Sequence, residues 1–375
     1  MSEPSSRRLK IAVLIRSFVT TGGAERYAVE VTRRLAKEHD ISVLCQIWDP
    51  NLTEGLKVVK IPRISAKPRW LNQVLFALGC SRAVKKIGFD VIHSHERTYD
   101  FDALVVHCPC YKTKFVERGK RGLWVYRLRQ FVSLRHAAYA WLERQQFKAH
   151  PTRKVVVVSD YVSRNIAACY PEGGHQFVVA APGVEMPNQK CLIMQNDQRF
   201  EVLFVGTEFK RKGLEYAIRG FANAKLSHAR LRIAGGGDIE SYKALALELG
   251  IESQVEFLGL VKDVGELYAS SHVFLFPTMI EPFGMAPLEA MSYGLPVVVS
   301  GPDYNGFVEQ LNEGEAWVLE DPTDACEIAQ ALKQCSVQEH WRELSERSLK
   351  AAVRLNWDGT TAQHDKALLM SRDSV

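Results

Sequence analysis

The chain has no long apolar run. No stretch approaches the roughly 20 uncharged apolar residues that a membrane-spanning helix requires. The opening MSEPSSRRLK leads straight into a strand pattern without the apolar core of a secretion signal, so a cytoplasmic protein is expected. Its eight cysteines, Cys45, Cys80, Cys108, Cys110, Cys169, Cys191, Cys326 and Cys335, form no CxxC pair and have no histidine partner at zinc-site spacing. Reduced, mostly buried thiols are expected, not a structural zinc. Internal repeats and low-complexity segments are also absent, which excludes solenoids and propellers. The one glycine triplet, Gly235 to Gly237 in LRIAGGGD, fails the dinucleotide spacing GxGxxG at Glu240, which argues against a nicotinamide dehydrogenase.

What remains is a globular composition, 46% hydrophobic and 24% charged over 375 residues, with enough chain for two cores. The net charge of +5 is small but unevenly placed. Between Lys112 and Lys154 twelve Lys or Arg face only Glu117 and Glu143, a local +10 that leaves −5 for the rest. Such a face suits an anionic partner, while the bulk of the chain does not suit nucleic acid.

Short β-branched runs alternate with helical patterns throughout. KIAVLIRSF precedes AERYAVEVTRRLAKEHD, KVVVVSD precedes YVSRNIAACY, and a second series runs through FEVLFVGT, LRIAGGG, VEFLGL, VFLFPT and PVVVS. This alternation predicts parallel sheets with crossover helices, an α/β fold of two Rossmann-like doubly wound domains facing a cleft. Residues 181 to 198 are polar, carry two prolines and lack periodicity. The expected boundaries are therefore 1–182, 183–355 and a final helical stretch 356–375 that crosses back onto the first domain. In such folds ligands meet the loops beyond the carboxyl ends of the strands.

Several of those loops carry chemistry. In TMIEPFGMAPLEAMSYGLPVVVS, Glu281 and Glu289 stand eight apart with a helical pattern from about Gly284. Unpaired N–H groups of Gly284, Met285 and Ala286 at a helix start would suit a phosphate. A capping glutamate and a surface acid would satisfy the same spacing. In VGTEFKRKGLEYAI a strand ends at Val205, Gly206 turns the chain, and Lys210, Arg211 and Lys212 crowd three cations before a helix. A phosphate counter-ion relieves their repulsion, although a solvated basic turn is the plainer alternative. Gly22 and Gly23 lie between a strand and a helix, where glycine permits close backbone approach. In DVIHSHERTYDFD, strand alternation points His93 and His95 to one face. Asp100 and Asp102 form a DxD pattern there, but phosphate charge already has Lys, Arg and a helix start to meet it, so these aspartates are expected on acceptor hydroxyls and not on a metal.

The EX7E arrangement of Glu281 and Glu289 resembles the signature of retaining glycosyltransferases of family four, and the likeness extends over nearly the whole chain. It implies the GT-B fold and a metal-independent transfer of a hexose from a nucleotide sugar, with no cofactor. The resemblance implies that Glu289 holds the ribose and that Glu281 approaches the donor sugar. It further implies that Phe283, Gly284, Met285 and Ala286 meet phosphate and sugar, and that Lys212 and Arg211 neutralise the departing pyrophosphate beside Gly206. Backbone groups around Leu258 to Val261 would cradle the base, Gly22 and Gly23 would face the donor phosphates and acceptor, and His95 would contact the donor sugar. Thr207 stands where many relatives carry arginine.

Residues 111 to 150 interleave cations with Trp124, Tyr126, Phe131, Tyr139 and Trp141. For 111–129 this composition suits an anionic membrane surface. For 130–150 a packed helix with a solvated basic face is an equal reading. The segment resembles its counterpart in lipopolysaccharide core glucosyltransferases, which implies UDP-glucose as donor, an inner-core glycolipid as acceptor, and a place on the inner face of the cytoplasmic membrane. A GT-B nucleotide-sugar epimerase and a non-catalytic membrane-binding protein are the alternatives, the second leaving the paired glutamates and the Lys212 loop without a purpose.

Overall fold

The computed structural model describes residues 8–63, 67–174, 176–188 and 199–372. Part of the polar boundary stretch, 189–198, and Cys191 within it lie outside the described residues. Two compact units form. One comprises Met1–Ala180 with Trp357–Val375, the other Ala181–Asn356.

The first unit holds a seven-stranded sheet in the order Lys57–Lys60, Asp40–Cys45, Lys10–Leu14, Val91–Ser94, Ala103–Val106, Lys154–Val157, Gln176–Val179. Every pairing is parallel. Its central strands are apolar on both faces because helices cover both; Ala12, Val13 and Leu14 are wholly buried. Helix Gly23–Glu38 places Tyr27, Ala28, Val31 and Leu35 on its buried stripe. The last helix, Trp357–Arg372, packs in this unit and buries Trp357, His364 and Leu368.

The second unit holds a six-stranded parallel sheet in the order Val255–Gly259, Ala229–Ala234, Phe200–Val205, Val273–Phe276, Val297–Ser300, Trp317–Leu319. The stretches by which the chain enters and leaves this unit run side by side, with the Val184 N–H donating to the Leu355 carbonyl at 2.9 Å.

In each sheet the strand order reverses once, and such reversals open a crevice at the carboxyl ends of the two strands concerned. In the first unit the reversal falls between Lys10–Leu14 and Val91–Ser94. In the second it falls between Phe200–Val205 and Val273–Phe276. The loops that follow those four strands carry Gly22 and Gly23, His95, Lys212 and Glu281. No helix among the described residues is long and apolar enough to cross a membrane.

Candidate active site

The second unit concentrates charge. After Phe200–Val205 the chain turns through Gly206 and ends the loop at Gly213, whose φ of 74° favours glycine. A Cβ there would stand 1.8 Å from the Pro277 carbonyl oxygen, so the loop lies directly against the end of the neighbouring strand. Gly235 does the same one strand over, since its Cβ would stand 1.8 Å from the Gly206 carbonyl. The glycine triplet thus serves loop-on-loop packing. The two ligand loops are also tied by hydrogen bonds: Met279 N–H and Thr278 Oγ1 both donate to the Arg211 carbonyl, at 3.0 and 3.2 Å.

This packing delivers Lys212 to Glu281. The ammonium pairs with Glu281 Oε2 and sits 4.7 Å from the centre of the Phe276 ring. Burial pushes the Lys212 amine below its usual range, and Glu281 opposes that shift. Arg211 Nη1 donates to the Ile280 carbonyl at 2.7 Å and lies 3.4 Å from Glu281 Oε2, while its other face is held by Glu208 at 2.8 Å. Glu281 is itself fixed through its backbone, donating to the Tyr304 carbonyl at 2.8 Å and accepting from Gly306 N–H at 2.9 Å.

Three residues on, Gly284 caps helix Met285–Ser292 with φ of 90°. The amides of Met285 and Ala286 open the first turn, where no intrahelical acceptor exists, and Pro287 occupies the third position without any N–H to satisfy. Glu289 is half-buried on the second turn and accepts from Tyr268 Oη at 3.3 Å. Phe283 buries its side chain against the Phe307 ring, with centroids 5.5 Å apart, which anchors the chain just before the helix start. Leu258 lies in Val255–Gly259, the edge strand, and Val261 follows it in a loop; both are half-buried.

Sequence reasoning missed Asn305. Wholly buried, it accepts from Phe307 N–H through Oδ1 at 3.1 Å, while its Nδ2 has no partner among the described residues. That Oδ1 would lie 3.5 Å from a Cβ on Gly284, placing the amide beside the helix start. Only the PDYNGF turn hinted at it.

The first unit offers a different chemistry. His93 and His95 do share a face, and His107 and His364 join them, with ring centroids 4.5 to 6.1 Å apart in the closest pairs. A directed chain runs through them. Tyr27 Oη donates its single proton to the Ala180 carbonyl at 2.8 Å and so accepts from His364 Nε2 at 2.6 Å. His364 Nδ1 must then accept from His93 Nε2, 3.0 Å away. His95 stands outside this chain, with both ring nitrogens buried and without a partner among the described residues. Burial lowers all four, His93 to about 3 and His107 to about 4, so the cluster is neutral at ordinary pH.

His95 and His107 line a cavity of about 290 Å³. Its wall is organised by Glu143, whose carboxylate accepts from Tyr111 N–H, from Lys112 N–H at 3.3 Å and from Tyr170 Oη at 3.0 Å. Burial raises the Glu143 pKa, and Arg97, also lining the cavity, opposes this. Arg16 pairs with Glu96 at 2.9 Å on the same wall. None of Arg16, Arg97, His107 or Glu143 was singled out in the sequence as a site residue; the first three follow strands, and Glu143 lies within helix Leu134–Gln146. Gly22 caps Gly23–Glu38, and a Cβ on Gly23 would meet nothing within 4 Å, so the chain itself does not demand glycine there.

Asp100 and Asp102 correct the sequence reading. They precede Ala103–Val106 and so lie at the amino ends of the strands, away from the ligand loops. Asp102 Oδ2 accepts from Ile92 N–H at 2.7 Å and Asp100 Oδ2 from Ser81 Oγ at 2.8 Å. These carboxylates tie the sheet to its neighbours.

A family model described as Glycosyltransferase Family 4 matches residues 21–187, and one described as Glycosyl transferases group 1 matches residues 193–352. An uncharacterized glycosyltransferase of Methanocaldococcus jannaschii is 34% identical over 349 residues, 85% of this chain and 87% of the relative. The lipopolysaccharide glucosyltransferase WaaG of Escherichia coli K12 is 24% identical over 345 residues, 88% of this chain and 90% of the relative. The crystal structure of WaaG superposes with a TM-score of 0.75 at 21% identity, covering 96% of this chain and 99% of that one. The Anabaena protein HepE, crystallised with UDP-glucose, gives 0.68 at 16% identity, covering 96% and 100%. The two parallel-sheet units are those of the GT-B fold.

Proposed function

The chain belongs to glycosyltransferase family 4, and we propose that it transfers glucose from UDP-glucose, with retention and without a metal, to a membrane-held glycan such as a lipopolysaccharide inner core. The observation that carries this reading is the convergence of Lys212, Arg211, Glu281 and the first turn of Met285–Ser292 at the switch point of the second sheet. Breaking a glycosyl–phosphate bond leaves negative charge on the diphosphate. Two cations and two free amides, already held in place, stabilise that charge without reorganising. Glu289, one turn further on, is positioned for ribose hydroxyls.

In the step proposed, an acceptor hydroxyl oxygen bonds to the anomeric carbon while the bond to the diphosphate oxygen breaks. The bonding pair leaves with the diphosphate, which takes the hydroxyl proton. His95 is no base for this step, because a histidine held so far below its usual range binds a proton poorly at neutral pH. Buried in the cavity wall, its two nitrogens lack partners among the described residues. UDP-glucose as donor is supported by the UDP-glucose complex of HepE and by the glucosyltransferase WaaG. A place at the cytoplasmic face of a membrane is supported by the basic segment and by the exposure of Trp124, Phe131, Val132 and Leu134.

The test is release of UDP from UDP-glucose in EDTA, with and without truncated lipopolysaccharide core, for wild type, Lys212→Ala and Glu289→Ala. Acceptor-dependent release that survives EDTA and disappears in both variants is expected. A strict metal requirement, or conversion of the sugar without acceptor, would overturn the reading.

A further inference from the structure

The basic segment folds as three helices, Thr113–Val116, Gly119–Val132 and Leu134–Gln146. The last two meet at Ser133, an extended residue, and form a hairpin. Its tip is apolar and open to solvent: Phe131 is 89% exposed, Val132 73% and Leu134 74%. This places the apolar patch just beyond residues 111–129, the part of the segment that composition alone assigned to a membrane.

Beside the tip lies a cavity of about 550 Å³, within the size range of ordinary ligand pockets. Lys112, Arg127 and Arg144 line it, with Tyr126 and Phe131 as aromatic wall, and no Asp or Glu is among the lining residues. Lys112 is held over the Tyr170 ring at 4.7 Å and donates to the Cys169 carbonyl at 2.5 Å. Arg144 is steered by the Gln130 side chain, and Gln130 by the Tyr126 carbonyl at 3.1 Å. Arg127 forms no ion pair among the described residues. Three cations converging on one concavity without an acid repel one another, and a multiply hydrogen-bonding anion relieves that repulsion. Guanidinium groups match phosphate oxygens two at a time. Phe131 belongs both to this wall and to the exposed tip.

We propose that this cavity seats the phosphate of an anionic glycerophospholipid, whose acyl chains leave past Phe131 while Val132 and Leu134 enter the apolar layer. The inference rests on the membrane-surface reading above and sharpens it. Attachment is by a discrete headgroup site, not by the summed charge of the whole segment. Lys120 and Arg121 are exposed on the same helix and do not line the cavity, so they provide the contrast.

The experiment is sedimentation of the full chain with vesicles of phosphatidylglycerol in phosphatidylcholine, against phosphatidylcholine alone, at fixed ionic strength. Wild type, Arg127→Gln with Arg144→Gln, Lys120→Gln with Arg121→Gln, and Arg127→Lys are compared, each shown folded by circular dichroism. The cavity pair is expected to lower partitioning onto phosphatidylglycerol vesicles by about tenfold or more. The exposed pair should lower it by about threefold or less, as screened surface charges do. Arg127→Lys, which keeps the charge and loses the fork, should fall several-fold. Equal losses for the two double variants, or an unchanged Arg127→Lys, would overturn the discrete site while leaving membrane attachment standing. No preference of the wild type for phosphatidylglycerol would overturn both.

Discussion

The two units solve opposite problems with the same scaffold. At the switch point of the second sheet, charge is gathered and held by charge: Lys212 and Arg211 meet Glu281, and Glu208 braces Arg211 from behind. At the switch point of the first, a neutral cluster stands beside a cavity whose wall also carries Arg16, Glu96, Arg97 and Glu143. Four histidines and a tyrosine share one buried cluster, all neutral, with His95 in the cavity wall. On the function proposed above, the charged site stabilises a leaving diphosphate, and the histidine cluster borders the cavity proposed for the attacking hydroxyl. The contrast is therefore a division of labour between leaving group and nucleophile, and it exposes the two units to different failures.

The largest expected effect is on pH stability. Each histidine of the cluster has a native pKa depressed below its usual range, so between the two values the unfolded chain binds more protons. Stability contributed by neutral burial is full above about pH 6.5 and is lost as pH falls. From pH 6.5 to 5, His93 and His107, held at about 3 and about 4, each cost about 1.6 kcal/mol, and His95 and His364 are lowered in the same direction in the same unit. In the second unit His272 is the histidine lowered in this way. Hydrogen exchange at pH 7.5 and pH 5 should show the first unit losing protection well before the second. Equal losses in both would break the comparison at its base. Glu143 and Asp102, both raised by burial, act in the opposite sense.

Next in size is Lys212→Ala, which removes a preorganised cation from the leaving group and should lower kcat by about 10²–10³-fold. Binding of UDP, followed by calorimetry, should weaken as well. A variant with normal kcat and weaker UDP binding only would show that Lys212 grips the ground state and that the charged site is not catalytic. Below it stands Gly213→Ala. The Cβ would meet the Pro277 carbonyl at 1.8 Å in a backbone region alanine avoids. A loss of about 2–3 kcal/mol is expected from thermal unfolding, with kcat reduced because the Lys212 loop must shift. Gly23→Ala, where the added carbon meets nothing within the chain, should leave stability within about 0.5 kcal/mol. Any loss of activity there would report on bound substrate.

Much of this plan was legible in the sequence. Strand–helix alternation gave the α/β class because parallel strands covered on both faces read as unbroken apolar runs, as Val155 to Val158 and Val273 to Phe276 do. The spacing of Glu281 and Glu289 was legible because a helix start fixes which residues share a turn. What stayed hidden was anything set by distant chain. His364 reaches the cluster from the last helix, and Asn305 reaches Gly284 from a loop after the next strand. Neither leaves a local pattern. The Asp100–Asp102 pair misled for the complementary reason: two acids in a short loop look alike at either end of a strand, and only topology reveals which end they occupy.

The smallest effect tests that correction. Asp100 accepts from Ser81 Oγ at 2.8 Å and lies 3.8 Å from Lys85, which is itself largely exposed. Because the ion pair is screened, it contributes little, and the hydrogen bond to serine contributes about 0.5–1.5 kcal/mol. Asp100→Asn keeps an acceptor for Ser81, so Tm should fall by a degree or two, and kcat and KM for the glycan acceptor should stay within about twofold of wild type. A tenfold rise in the acceptor KM at unchanged Tm would return Asp100 to the site. It would also mean that substrate is bound at the amino ends of the first sheet, in conflict with the placement of ligands at strand carboxyl ends on which both sites depend.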